Sequence, residues 1–292
     1  MMKKQISRNT LQIIAMIAML IDHFNSVLGL FQVIYFRTDN IMLAARCTDL
    51  LYGIGRMAFP IFAFLIVDGC IHTRDIRKYA FRLGIAAFVS EFCFDFAFVG
   101  WSWTTPLESF RAFIAQFNAG IHNQNNVIWS LFASVLLIWA IQNFQRKTKH
   151  RVLYAIRVFL IFIILYLACM VFGAEYWEIC LPMTALMYLC KQRWAKVSIL
   201  GAFMYFFYGL WPILQSLRWE SLQSAWETSW LANPDIGDIF WIAGVAIALI
   251  LIAHYQYDAT SRPRKSRLIY AFYPGHLLVL GLIRDFIRAF VI

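Results

Sequence analysis

The stretch Gly55–Gly69 has the sequence GRMAFPIFAFLIVDG, and the architecture of the chain depends on it. It is apolar enough to lie in a bilayer, yet it carries Arg56, Pro60 and Asp68. A charged side chain at membrane depth costs about 2.5–3.5 kcal/mol on insertion scales, so Arg56 needs a partner. The neighbouring segments supply four candidates: Asp22, His23, Glu91 and Asp95.

The composition of the whole chain is that of a membrane protein. Of its 292 residues, 61% are hydrophobic and 14% are charged, whereas soluble proteins carry about 25% charged residues. The net charge of +10 would suggest nucleic acid binding in a soluble protein. In a membrane protein, basic loops on one side explain this charge, so we expect no nucleic acid partner. The six cysteines show no CxxC motif and no metal-ligand spacing, which predicts free thiols and no metal site.

Apolar segments long enough to span a membrane recur along the chain. We find about nine, near 11–30, 51–71, 79–99, 127–144, 152–172, 175–190, 196–215, 236–254 and 268–291. The first lacks a small-residue cleavage site, which predicts a retained helix rather than a signal peptide. A candidate for a tenth segment is 106–121. The predicted fold class is therefore all-α, a polytopic transmembrane helical bundle of nine to ten spans in a single domain over 1–292.

The distribution of basic residues predicts the orientation of this bundle. Most Lys and Arg residues, 19 of 26, fall in the segments 1–8, 73–82, 145–157, 191–196 and 261–267. Nine spans with a cytoplasmic N-terminus place all five segments on one side, as the positive-inside rule requires. The segments near 31–50 and 100–126 are then outer loops. We expect the protein to lie in the cytoplasmic (inner) membrane of a bacterium, with the lipid bilayer around it.

Helix geometry predicts that three polar side chains share one level in the outer half of the bilayer. At 1.5 Å per residue, His23 and Glu91 lie roughly 18–20 Å from the cytoplasmic face, with Arg56 at a similar height. A histidine that acts as a general base is normally oriented by a second group, here Glu91 or Asp95. Two alternatives without catalysis stay open. His23 can be a structural residue bonded within the bundle, and Arg56 and Glu91 can be an ion pair that fixes helix register.

Further polar residues lie at the ends of the predicted segments. Asp22 shares a helix face with small residues, which suits close helix packing. Asn126 precedes the fourth segment, where its amide can cap a helix or donate to a substrate carbonyl. Pro274 is expected to kink the last segment, so His276 either lines the access path of a cytosolic ligand or satisfies the backbone at the kink.

Five blocks of sequence occur in the order of a known family. They are Ile21–His23 (IDH), Gly55–Phe64 with His72–Arg74 (HTR), Ser90–Asp95 (SEFCFD), Asn126-Val127 and Phe272–Leu277 (FYPGHL). Together they resemble TraX-like conjugal-transfer membrane proteins, whose founding role is acetylating the N-terminus of conjugative pilin. This family is similar to the wider set of membrane acyltransferases. Cys93 is a departure, because relatives often have proline at that position.

The resemblance implies an integral-membrane acetyltransferase with cytosolic acetyl-CoA as the donor and an amine or hydroxyl acceptor at the outer side. The acceptor is left open between a peptide amine and a glycan. The catalytic residues implied are His23 as base or acyl carrier, Glu91 or Asp95 to orient it, and Arg56 to stabilise negative charge.

The residues implied in substrate or CoA binding are Asp22, Asn126, Tyr273, His276, Arg74 and Lys78. For Arg74 and Lys78, phosphate binding competes with the plain topological role of basic loops. Two other functions stay open, a transporter that uses the same charges as a relay and a non-enzymatic scaffold for pilus or secretion assembly. The sequence shows no inverted repeat, which counts against the transporter.

Overall fold

A computed structural model describes residues 6–99, 107–108, 111, 125–148, 150–210, 214, 235–257 and 266–290. These residues form helices joined by caps and turns, with two isolated β-bridges. The described chain contains the helices α1 (Arg8–Leu28), α2 (Leu30–Thr38), α3 (Ile41–Gly55), α4 (Ala58–His72), α5 (Ile76–Val99), α6 (Ile128–Lys147), α7 (Arg151–Val171), α8 (Trp177–Leu189), α9 (Arg193–Tyr205), α10 (Ile236–Ala253) and α11 (Ser266–Phe290). A π-helical turn, Phe206–Leu210, follows α9. The predicted all-α class is confirmed.

Five helical segments of the described chain are long and apolar enough to cross a membrane. They are Arg8–Leu28, Ile41–His72, Ile128–Lys147, Arg151–Val171 and Ile236–Ala253. Only 6% of the apolar stretch of α7 is buried within the protein, which suits a helix that faces lipid. The total of nine to ten spans stays a prediction, and the candidate tenth segment at 106–121 lies almost entirely outside the described residues.

The prediction of a loop near 31–50 is wrong, because this segment forms α2 and the larger part of α3. Asn40 begins α3, since its side-chain oxygen accepts a hydrogen bond from the Leu43 N–H at 2.9 Å. Arg37 and Arg46 are exposed residues on these two helices. Charge on the accessible side of a helix is compatible with helical structure, so polarity alone did not identify a loop.

The segment predicted as one span at 51–71 is interrupted between α3 and α4, at Arg56 and Met57. Pro60 explains the interruption. It has no N–H to bond the Arg56 carbonyl, and its ring clashes with that carbonyl in a continuous helix. Pro60 is tolerated in the first turn of α4, where N–H groups lack helical partners anyway. Arg56 therefore lies at a helix break.

The chain forms two compact units, Met1–Leu65 with Cys190–Arg262 (unit 1) and Ile66–Leu189 with Pro263–Ile292 (unit 2). In unit 1, α3 packs against α1, α2 and α10, and α9 packs against α10. Gly53 and Gly244 permit the crossing of α3 and α10, because a Cβ on Gly244 would lie 1.9 Å from the Gly53 carbonyl oxygen. The single domain over 1–292 stays a prediction.

In unit 2, α5 packs against both α6 and α11, and α6 also packs against α7 and α8. The centre of the α6–α8 part is apolar and includes Leu137, Ile141 and Leu181. Gly281 permits α11 to approach α5, since a Cβ there would lie 2.6 Å from the Phe96 ring. This packing places the polar residues of α5 between two neighbouring helices.

Candidate functional site

In unit 1, an ion pair joins α1 to the end of α3. Arg56 Nη2 donates a hydrogen bond to Asp22 Oδ1 at 3.1 Å, and Arg56 Nε donates to the Tyr52 carbonyl at 3.4 Å. Gly55 permits this approach, because a Cβ there would lie 2.3 Å from Asp22 Oδ1. Asp22, one of the four candidates in the sequence, is therefore a partner of Arg56.

His23, the residue after Asp22, is 8% exposed. Successive helix residues point about 100° apart, so His23 and Asp22 face different directions. Two residues further along α1, Asn25 Nδ2 donates to the Thr48 carbonyl at 3.3 Å. Polar contacts to α3 thus fix α1 on both sides of His23, as a precisely placed base requires. The orientation of His23 by Glu91 or Asp95 stays a prediction.

In unit 2, Glu91 of α5 is held by the residues that begin α6. Its Oε2 accepts hydrogen bonds from Trp129 Nε1 at 2.7 Å, from the Asn126 backbone N–H at 3.3 Å and from the Asn126 side-chain amide. Asn126 Nδ2 also donates to the Ala87 carbonyl at 3.1 Å, and Asn126 Oδ1 accepts from the Ile128 N–H at 2.9 Å. Asn126 thus both accepts a hydrogen bond from the first N–H of α6 and positions Glu91.

The second oxygen of Glu91, Oε1, is buried and has no hydrogen-bond partner among the described residues. Three donors to one oxygen stabilise the carboxylate, while the other oxygen is left able to accept a proton or a donor. Asp95, one turn later on α5, is 3% exposed and interacts electrostatically with Glu91. α5 therefore carries two buried acids close together.

The last helix, α11, contributes two buried residues that the sequence singled out, Tyr273 and His276. Tyr273 lies within electrostatic range of Glu91 and Glu175. His276 Nδ1 is 2.8 Å from the Phe272 carbonyl oxygen, and its ring stacks on the Phe272 ring with centroids 4.8 Å apart. His276 thus contacts a backbone carbonyl of its own helix, and both roles that its position near Pro274 suggested stay predictions.

Sequence reasoning missed a buried ion pair on α11. Arg284 donates to Asp285 Oδ1 through Nε at 2.9 Å and Nη2 at 2.7 Å. It also donates to the carbonyls of Phe96, at 3.0 Å, and Ala97. These carbonyls belong to the last turn of α5, where no helical N–H reaches them. Arg284 therefore caps α5, and the available signal was a pair of adjacent opposite charges inside an apolar segment.

These residues fall within a stretch that matches a known family. A family model described as TraX protein matches residues 7–284. The chain belongs to the TraX family. No curated protein and no solved structure matches the chain. Family membership, together with the apolar helices, indicates a conjugation-related membrane protein.

In this TraX-family protein, the basic residues Arg74 and Lys78 lie exposed at the connection between α4 and α5. Asp75 begins α5, because its Oδ1 accepts from the N–H groups of Lys78 at 3.1 Å and Arg77 at 3.0 Å. The hydrogen bond from the Lys78 N–H is the main cause that lowers the pKa of Asp75. Lys78 Nζ is 3.6 Å from Asp75 Oδ2. Phosphate binding by Arg74 and Lys78 stays a prediction.

The structure of the TraX-family chain thus brings predicted residues together within each unit, Asp22 with Arg56 and Glu91 with Asn126. Trp129 was missed, because a tryptophan near the end of an apolar segment is also typical of the membrane–water boundary. Across the described ranges, no three His, Cys, Asp or Glu side chains are placed to hold a metal ion.

Proposed function

We propose that this protein is an acetyltransferase of the bacterial inner membrane, which moves an acetyl group from acetyl-CoA to an amine or hydroxyl group at the outer side. The observation that carries the proposal is Glu91, a buried carboxylate with three donors on one oxygen and, within the described chain, none on the other. An ionisable residue inside an apolar bundle is expensive, and its default interpretation is a functional site. Acetyl transfer needs such groups, since the acceptor loses a proton as it attacks.

In the proposed reaction, His23 is the general base that deprotonates the acceptor. It takes the proton of the acceptor nitrogen or oxygen, which attacks the thioester carbonyl carbon. The carbon–sulfur bond then breaks, and the CoA thiolate takes up the proton that His23 accepted and leaves as a thiol. Arg56 contributes positive charge that stabilises the developing oxyanion, and Asp22 holds Arg56 in place.

Acetyl-CoA is the proposed donor, and four of the residues singled out in the sequence are proposed to bind it. The exposed guanidinium and ammonium groups of Arg74 and Lys78 suit the CoA phosphates. Tyr273 and His276 are proposed to contact the pantetheine arm. Asn126 is proposed to act through Glu91, because its amide is already engaged by Glu91 and Ala87.

The test is acetyl transfer by purified protein in lipid nanodiscs supplied with radiolabelled acetyl-CoA. The acceptors are a peptide with a free N-terminus and a glycan, and both CoA release and labelled acceptor are measured. His23→Ala is expected to lower the rate by about 10²–10⁴-fold, the usual contribution of a general base. Glu91→Gln, which keeps the shape of the side chain and removes its charge, is expected to slow transfer as well.

The matched control is His254→Ala, because His254 is an exposed histidine on another helix end, with its Nδ1 2.8 Å from the Ile250 carbonyl oxygen. This variant should transfer acetyl groups at the wild-type rate. Full labelling by the His23→Ala variant would remove His23 from the mechanism. A wild-type protein that neither releases CoA nor labels either acceptor would contradict the acetyltransferase itself.

A further inference from the structure

In unit 2, the segment 125–130 at the start of α6 contacts polar residues of three other elements. It holds the Glu91 side chain of α5 through three hydrogen bonds. The Val127 backbone N–H lies beside the Tyr273 hydroxyl of α11. The third contact is with Glu175, in the turn between α7 and α8. One short segment therefore positions an acid, a phenol and a second acid relative to one another.

Both backbone groups of Glu175 are bonded to this segment. The Glu175 N–H donates to the Asn125 carbonyl at 2.9 Å, and the buried Ser130 hydroxyl donates to the Glu175 carbonyl. The Asn125 N–H in turn donates to the Gly173 carbonyl at 2.9 Å. These bonds come from residues on both sides of Asn126, the residue that positions Glu91. The turn between α7 and α8 is therefore fixed in place beside the Glu91 cluster.

The residue after Glu175 has an unusual backbone conformation. Tyr176 has a φ of 61°, in the left-handed region that bulky side chains rarely adopt. Residues in such conformations persist where the surrounding structure over-determines them, and they are frequent at functional sites. The hydrogen bonds from the start of α6 supply that constraint here. This outlier points to a specific role for the side chains of the turn.

The Tyr273 hydroxyl lies within electrostatic range of both acids, Glu91 and Glu175. Tyr273 is 5% exposed, whereas Glu175 is half-buried. Glu91 Oε1 is buried and, within the described residues, has no hydrogen-bond partner. A phenol both donates and accepts hydrogen bonds, so its oxygen can take up one proton while it gives up its own. The three groups thus lead from a buried acid to a half-buried one.

We propose that Glu175 is a further acid of this site and that it exchanges protons with Glu91 through the Tyr273 hydroxyl. The Glu91 carboxyl gives its proton to the Tyr273 oxygen, directly or across one bridging water, and the Tyr273 proton passes to the Glu175 carboxylate. The phenol is neutral before and after this transfer. The predicted orientation places the turn after α7 at the outer face, so Glu175 exchanges its proton with the outer solution. In acetyl transfer this route resets the protonation of Glu91, a role that rests on the proposed function, whereas the route itself does not.

The test follows the infrared C=O band of protonated Glu91, identified as the band that Glu91→Gln removes. Full-length protein in phosphatidylcholine nanodiscs is moved from H₂O to D₂O at a pH at which this band is present, and the rate of its deuterium shift is measured without acetyl-CoA. Glu175→Gln and Tyr273→Phe are each expected to slow the exchange by at least about tenfold, with an unchanged elution profile and unfolding temperature. Glu175→Asp, which keeps a carboxyl group, should retain most of the wild-type exchange rate.

The matched control is Glu178→Gln, because Glu178 is a half-buried acid in the first turn of α8 that interacts electrostatically with Tyr166. This variant should exchange at the wild-type rate. Wild-type exchange rates in folded Glu175→Gln and Tyr273→Phe proteins would overturn the proposal. The absence of a Glu91 band at every pH that the fold withstands would overturn it too, because a carboxylate that never takes up a proton cannot pass one on. Exchange that depends on Glu175 in a protein that never releases CoA would support the route and end the acetyltransferase.

Discussion

At the scale of single residues, individual hydrogen bonds and ion pairs stabilise the charged side chains inside this protein. Glu91 is 4% exposed and accepts a charge-assisted hydrogen bond from Trp129 at 2.7 Å. Arg56 is balanced by Asp22 at 3.1 Å. A buried charge that loses its partner keeps its desolvation cost, so these contacts matter more than exposed ion pairs of equal length.

The contact between Trp129 and Glu91 leads to a prediction about one atom. Trp129→Phe removes the indole N–H and keeps most of the aromatic contact. We expect the free energy of unfolding to fall by about 1.5–3 kcal/mol, the usual value for a hydrogen bond to a charged group. CoA release should slow as well, because Glu91 keeps only the two donor groups of Asn126 among the described residues.

Unfolding in mixed micelles and CoA release are the two measurements for this variant. Trp194→Phe is the matched control, since Trp194 is 64% exposed at the start of α9. If the two tryptophan variants behave alike in both measurements, the hydrogen bond to Glu91 has no special importance.

At the scale of helices, glycine decides where neighbouring helices touch. Lipid tails are as apolar as the side chains between helices, so association in a membrane depends on close packing and polar contacts. In unit 1 the contact points are Gly55, against Asp22 of α1, and Gly53 with Gly244, where α3 crosses α10. Because Gly55 precedes Arg56, the same close approach that packs α3 on α1 also brings the ion pair within hydrogen-bond distance.

Gly55→Ala is therefore expected to damage both packing and site. The added Cβ would lie 2.3 Å from Asp22 Oδ1 and 2.5 Å from Asp22 Cβ, so a helix must shift. Overpacking of this kind typically costs about 1–3 kcal/mol. The unfolding free energy and the acetyl-transfer rate should both decrease.

The control for this prediction is Gly275→Ala in α11, where an added Cβ would meet nothing within 4 Å. Alanine is the better helix former by about 1 kcal/mol, so this variant should be neutral or more stable. A Gly55→Ala protein as stable and active as Gly275→Ala would show that α1 and α3 do not approach as closely as described.

At the scale of the whole molecule, the apolar helices indicate a membrane protein, and the basic segments of the sequence predict its orientation. Five segments of the described chain are long and apolar enough to cross a bilayer. The helices α5 and α11 do not qualify by composition, because they carry buried charges such as Glu91 and Arg284. The span count of nine to ten stays a prediction, and labelling from one side of the membrane tests the predicted topology directly.

Orientation is testable with single cysteines in a background in which the six native cysteines are replaced. Lys78→Cys reports on a predicted cytoplasmic connection and Arg37→Cys on a predicted outer one, and both positions are exposed. In intact spheroplasts, a membrane-impermeant maleimide should label Arg37→Cys, whereas Lys78→Cys should react only after permeabilisation. Labelling of both positions from outside, or of Lys78→Cys alone, would contradict a cytoplasmic N-terminus.

The sequence by itself determined the helical class, the positions of most helices and the family. These properties are local, because main-chain hydrogen bonds in a helix join residues four apart and hydropathy is summed along a short stretch. The predicted segments near 79–99, 127–144 and 236–254 accordingly agree with α5, α6 and α10 within a few residues. The exception is the segment near 31–50, which forms two helices with exposed charges and was predicted as a loop because it lacks a long apolar run.

Only the tertiary structure decided which groups meet. The pairing of Asp22 with Arg56, the donor Trp129 on Glu91 and the cap of α5 by Arg284 each join residues more than thirty positions apart. Depth along a helix can be read from residue number, but contact also requires the rotation of each helix and the point where two helices cross. Glycines and helix breaks set both, so the contacts between the site residues follow from packing in three dimensions.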